Sequence, residues 1–244
     1  MKNIKIKFNF LTIIFFLVMA LSGYLYYSLI IVFIVFFHEI GHVFFARLFG
    51  FKVVEIELFP FGGNTKIDKK LNNNIFVDIL ISLGGVIFQF FIFILCKQGV
   101  IKSSVINYYN VSIMLFNLLP VIPLDGSKII FDLLNLIFSY KKSLNIEIII
   151  SIIFTIIYTL ANYIYSLDNY LIIVLFLIKT VELYKNRLII FNKFILERMI
   201  YNLKFRKIKN FNEKINNYQK DVKYYYKINN NLIPEDKYLK MIYK

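Results

Sequence analysis

The sequence has a single cysteine, Cys96, which excludes an internal disulfide and any thiolate-rich metal site and leaves this side chain a lipid-facing or core-packing role. Acidic residues are also scarce, with 15 Asp and Glu against 29 Lys and Arg and a net charge of +14. Such an excess invites a nucleic-acid reading. The basic residues flank apolar runs, however, and no recognition motif accompanies them, so no nucleic acid is expected as a partner. Internal repeats and low-complexity linkers are absent. Histidine is nearly as rare as cysteine: the 244-residue chain has two, His38 and His42.

What is abundant is apolar surface. Hydrophobic residues make up 59% of the chain and the mean hydropathy is +0.64, so apolar and basic residues must be segregated along it. Largely apolar runs fall at 8–23, 24–49, 74–96, 105–140, 145–166 and 169–191; a membrane span needs roughly 20 such residues. The expected fold class is an all-α polytopic membrane protein of about six transmembrane helices, with a small cytoplasmic β-hairpin and a basic C-terminal tail. Short cytoplasmic loops hold an excess of Lys and Arg. With the N-terminus inside, Lys2, Lys5, Lys7, Lys52, Lys66, Lys69, Lys70, Lys141, Lys142 and the basic tail all fall in the cytoplasm, and only Lys97 and Lys102 fall outside. The chain is thus expected in the cell membrane with both termini cytoplasmic. Residues 1–23, a basic start followed by an apolar run, also fit a cleavable signal peptide, which would leave the orientation of the second span unchanged.

Two domains are expected, a transmembrane domain over 1–192 and a basic cytoplasmic tail over 193–244. Val53 to Leu58 alternates as a strand does, and Pro60-Phe61-Gly62-Gly63-Asn64 supplies turn residues before Thr65-Lys66-Ile67. From about Lys185 onward, Arg187, Lys193, Arg198, Lys204, Arg206, Lys207 and Lys209 have a spacing compatible with an amphipathic helix on the anionic inner leaflet of the lipid bilayer. An ordinary positive-inside anchor reads the same way. The last stretch, rich in Asn, Lys and Tyr, is expected to be partly disordered.

The two histidines stand four residues apart in His38-Glu39-Ile40-Gly41-His42. Positions four apart share a helix face, so both imidazoles can reach one ion while Glu39 stands beside it. Zinc prefers such nitrogen ligands, and a catalytic zinc site uses three protein ligands with an open fourth position. Ile30 to Phe37 and Val43 to Phe45 are apolar, which puts His38, Glu39 and His42 at membrane depth, where ionisable groups are costly and by default functional. Chance occurrence of the pattern is the bland alternative. A third ligand is supplied best by Asp125, in Asn117-Leu118-Leu119-Pro120-Val121-Ile122-Pro123-Leu124-Asp125-Gly126. Two prolines must interrupt a helix there, and broken backbone at membrane depth is tolerated where it lines a polar cavity. The alternative for Asp125 is a helix-capping aspartate. Asp78, Asp132, Glu147 and Asp168 compete less well, being near span starts, past the break or near loop ends.

Taken with Arg47-Leu48-Phe49-Gly50 and Phe59-Pro60-Phe61-Gly62-Gly63, these two motifs resemble the site-2 protease family of intramembrane zinc metalloproteases over roughly residues 1–200. Within it, the compact six-span layout is most similar to the stage IV sporulation protein FB group. The resemblance implies one Zn2+ per chain held by His38, His42 and Asp125, with Glu39 as general base. It also implies a membrane-tethered protein substrate such as a pro-sigma factor, and inhibitory membrane-protein partners. Gly84-Gly85-Val86-Ile87-Phe88-Gln89 stands where family members commonly have Ala-Gly-Pro-x-x-Asn; Gln89 is a candidate for that amide donor or a polar residue packing between helices. Asn117 is a candidate oxyanion donor. The tail is too short for a complete cystathionine-beta-synthase-type domain, and no stretch has room for a PDZ domain. The substrate segment is expected to add to the strand at Val53 to Leu58, for which an inert connecting hairpin is the alternative. The rival function is a zinc-dependent membrane transporter or metal chaperone, which would string its polar groups across the bilayer. A catalytically dead scaffold is the third reading.

Overall fold

Long runs of Ile, Leu, Phe and Val without glycine or proline dictate most of the secondary structure. The structure is a computed structural model, and it describes residues 5–8, 10–59, 62–161, 167–201, 203–210, 213–228 and 231–243. Pro60 and Phe61 of the expected turn, and the end of the fifth expected span at 162–166, lie outside the described residues. Two compact units divide the chain: Met1–Lys69 with Leu80–Leu118, and Lys70–Ile79 with Leu119–Lys244.

The first unit contains β1 (Lys5–Phe8), α1 (Phe10–Leu21), α2 (Leu25–Leu48), β2 (Lys52–Phe59), β3 (Gly62–Asp68), most of α3 (Ile75–Lys97) and α4 (Ser104–Asn117). The end of α2 is set by Gly50, which adopts φ 78°; Gly50 N–H then donates to Arg47 O at 2.9 Å and Phe51 N–H to Ala46 O at 2.9 Å. This pair of reversed bonds satisfies carbonyls that the helix leaves open and turns the chain into β2. Ser103 begins α4 by accepting from Ile106 N–H at 3.3 Å.

The expected hairpin is present as β2 and β3, antiparallel with Ile56 opposite Thr65, but it carries a third strand. β1 pairs parallel to β2, Ile6 opposite Ile56, giving the order β1-β2-β3. Lys7 and Lys66 converge on Glu55 from the two flanking strands, at 2.6 and 2.5 Å. The hydrogen bonds from Lys66 and then Lys7 hold the Glu55 carboxyl down at about 2. Thr12 Oγ1 adds a buried bond to Leu58 O at 2.8 Å. The inner face of the sheet packs Ile56 and Leu58 on Val35 and Val43 of α2. The all-α expectation is therefore corrected: local periodicity marks the hairpin, whereas β1 is joined from some 50 residues away in sequence.

In the second unit are α5 (Asp125–Leu134), α6 (Tyr140–Ala161), α7 (Leu167–Ile200), β4 (Lys207–Asn210), β5 (Val222–Ile228), β6 (Asn231–Pro234) and α8 (Glu235–Ile242). Pro120 and Pro123 break the fourth apolar run, so it forms two helices, α4 and α5, rather than one continuous helix. Ser151 of α6 holds the broken stretch by accepting from Ile122 N–H at 3.1 Å, and is itself 3.0 Å from Thr180 Oγ1 of α7.

The tail departs most from expectation. No boundary falls at 192, because α7 runs on to Ile200, and beyond it β4 pairs parallel and β6 antiparallel with β5. Order comes from Arg198, 1% exposed, which donates to Asn72 Oδ1, Val222 O, Glu235 Oε2 and Gln219 O at 2.6–3.0 Å. Around it the rings of Tyr218 and Tyr224 stack at 4.6 Å and those of Tyr226 and Tyr238 at 3.6 Å. A residue read as lying on a lipid surface is thus the buried centre of a small sheet domain.

Among the described residues three helices, α2, α3 and α6, are long and apolar enough to cross a membrane. α1 has 12 residues, and α7 interrupts its apolar sequence with Lys179 and Glu182. The chain is a membrane protein by these helices and by the similarities reported below.

Candidate metal centre

The helical repeat brings His38 and His42 onto one face of α2, with ring centroids 4.7 Å apart and planes at 82°. Each Nδ1 faces an oxygen on α3: Gln89 Oε1 lies 2.8 Å from His38, and Ile81 O lies 2.7 Å from His42. Both oxygens can only accept, so each Nδ1 carries the hydrogen and each Nε2 is left with its lone pair. The two Nε2 atoms lie 3.1 Å apart. Two bare acceptors would repel at that distance, but two nitrogens of a tetrahedral zinc site, each about 2.0–2.1 Å from the ion, stand about 3.3 Å apart. The histidine pair therefore fits a zinc ion.

Glycine makes this geometry possible. A Cβ on Gly41 would lie 2.2 Å from Gly84 O, so α2 and α3 cross backbone to backbone, as small residues allow in membrane helices. A Cβ on Gly85 would lie 2.3 Å from His38 Cε1. The glycine pair at 84 and 85 thus forms the wall against which His38 rests.

Glu39 is buried at 3% exposure and meets β3. Thr65 Oγ1 donates to Glu39 Oε2 at 2.6 Å, and a Cβ on Gly63 would lie 2.4 Å from Glu39 Cγ. Neither Thr65 nor Gly63 was expected in the site. The paired glycines at 62 and 63 looked like turn residues, and what Gly63 provides is passage of β3 over a carboxylate.

Gln89, fully buried, orients His38 through Oε1, while its Nε2 has no acceptor among the described residues. Asn110 of α4 fixes the backbone there by donating to Gln89 O at 2.9 Å. The amide expected to serve substrate is therefore engaged with His38 through its oxygen. Asn117, at the end of α4, donates Nδ2 to Ile113 O at 3.0 Å. The strand of β2 has partners on both sides, which corrects the expectation that a substrate segment adds to Val53–Leu58; among the described residues the sheet ends at β1 and β3.

Asp125 belongs to the other unit, where it is the first residue of α5 and 4% exposed. The N-cap position is taken by Leu124, so Asp125 does not stand there as a capping residue. Lys128, one turn on, donates to its Oδ1 at 2.8 Å. Asp78 and Asp132, weaker competitors in sequence, are both bound to Lys220.

Known proteins match these features. The model of peptidase family M50 matches residues 26–105 and 95–161. Stage IV sporulation protein FB of Bacillus subtilis is 28% identical over 188 residues, 73% of this chain and 65% of that protein. A zinc metalloprotease of Methanocaldococcus jannaschii is 29% identical over 125 residues, 45% of this chain and 34% of the relative. The chain thus spans about two thirds of the first relative and a third of the second. Among solved structures, the site-2 protease from Methanocaldococcus jannaschii superposes with a TM-score of 0.54 at 25% identity, over 77% of this chain and 91% of that one. The family match covers more than half of the sequence and includes the paired histidines of α2, and the chain belongs to peptidase family M50.

Proposed function

We propose that this protein is a zinc metalloprotease that hydrolyses a peptide bond in or beside a transmembrane segment of a membrane-tethered substrate. The observation that carries the proposal is the His38–His42 pair, whose Nε2 atoms face each other at 3.1 Å with both Nδ1 atoms tied to oxygens. In this reading Asp125 is the third ligand, because the buried donors suited to a metal among the described residues are His38, His42 and Asp125. One zinc per chain follows. When bound, zinc supplies the Lewis acidity that polarises a carbonyl and makes water a nucleophile near neutral pH. Glu39 takes the proton of the attacking water and passes it to the leaving amine. The Thr65 hydroxyl fixes which way that carboxylate turns. Asn117 serves as oxyanion donor through its second amide hydrogen, the first being held by Ile113 O.

A membrane helix hides its own peptide groups, so the substrate must unwind before attack. The edge at β3 is the better receiving strand, since β2 is paired on both sides and β3 carries the contacts to Glu39. Six spans with both termini cytoplasmic account for the placement of Lys and Arg. The substrate proposed is a pro-sigma factor tethered in the cell membrane, with inhibitory membrane partners holding the enzyme in check; the similarity to stage IV sporulation protein FB supports a place in the sporulation group. The test is co-expression with tethered precursors: a shortened product made by the native protein and lost with Glu39→Gln supports the proposal. Unchanged cleavage by that variant, or stoichiometric zinc retained after His38→Ala, removes it.

A further inference from the structure

Lys220, just before β5, is 4% exposed and bridges two buried carboxylates. Its Nζ lies 2.5 Å from Asp78 Oδ2 in the first turn of α3 and 2.7 Å from Asp132 Oδ1 of α5. A buried lysine is costly unless fully paired, and here two buried carboxylates pair with it. Burial alone would discharge the amine; the carboxylates of Asp132 and Asp78 outweigh that and raise its pKa.

The helix it grips is short. α5 spans 10 residues and begins with Asp125; Asp132 lies seven residues on, two turns along the same face. The stretch before α5 is irregular, held at Ile122 by Ser151. Its far end is held by an ion pair to a residue nearly 90 positions later. We infer that Lys220 is a positioning residue for the metal centre: by tying Asp132 to Asp78 it seats α5 on the start of α3, and so fixes the direction in which Asp125 offers its carboxylate. The folded tail is then part of the protease rather than an appendage. This rests on Asp125 being a zinc ligand.

The experiment measures zinc affinity by chelator competition on the purified full-length protein in detergent, beside thermal unfolding of the zinc-free form. Asp132→Asn keeps Lys220 paired with Asp78 and is expected to weaken zinc binding about tenfold, the scale of a lost support for a ligand. Lys220→Met should do at least as much, and Lys220→Arg should recover most of the affinity. Glu235→Gln, which strips the buried Arg198 of its ion pair, is the comparison: it should lower thermal stability and leave zinc affinity within twofold. If Lys220→Met does not fold, Asp132→Asn decides alone. Should Asp132→Asn lose only stability, as Glu235→Gln does, while Asp125→Asn releases zinc, Lys220 is structural and the inference is overturned. Full zinc affinity in Asp125→Asn would instead overturn the ligand assignment beneath it.

Discussion

Thr65 Oγ1 donates to Glu39 Oε2 across 2.6 Å, joining an edge strand to the carboxylate proposed to move the proton. A hydrogen bond to a charged group contributes about 1.5–3 kcal/mol. Thr65→Val should therefore lower kcat roughly tenfold or more while zinc affinity stays unchanged, and Thr65→Ser should restore most of the rate. Equal loss in the valine and serine variants would show that the methyl group, not the hydroxyl, is what matters.

Gln89→Leu removes the acceptor that fixes the His38 ring. Supports of this kind are worth about 10–100-fold in metal affinity. Competition with a chelator should show weaker zinc in Gln89→Leu, with Gln89→Glu, which keeps an acceptor oxygen, closer to native. The same variants assayed for cleavage at saturating zinc will show whether the second amide nitrogen has a separate part.

Gly85→Ala places a methyl group 2.3 Å from His38 Cε1. Overpacking of this kind costs about 1–3 kcal/mol, and the imidazole is the neighbour that must give way. Lower zinc content and a lower Tm are expected together. A native zinc content would mean that α3 shifts instead, which far-reaching loss of stability would reveal.

Glu55 sets an acid limit on the first sheet. Its folded pKa, held near 2 by Lys66 and Lys7, lies below the usual carboxylate value, so its contribution is present above about pH 4.5 and is lost as pH falls toward 2. Amide exchange in β2 and β3 should therefore accelerate, relative to the intrinsic rate, across that window. Glu55→Gln should flatten the dependence.

The pairing of His38 and His42 was legible in sequence because it is local: four residues separate the histidines, and positions four apart share one face of α2. Asp125 could be proposed from a second local signal, the prolines at 120 and 123. What supports these residues was hidden, since Gln89 and Ile81 meet the histidines from a different helix and Thr65 meets Glu39 from a strand. The tail was misread for the same reason. Val222 to Ile228 alternates buried and half-buried residues at its start, but Lys and Asn around it suggested disorder. Its order depends on Arg198 pairing with Glu235 across 37 positions, which no window of sequence contains.

The crossing at Gly41 and Gly84 has a mechanical consequence. With main chain against main chain at that point, the crossing itself has no rotamers to exchange and no soft layer on which to slide. The two helices should move as one stiff pair, keeping both imidazoles aligned through every turnover. Whatever gate admits a substrate helix must then open elsewhere, and labels placed on α2 and α3 should keep a constant separation while it does.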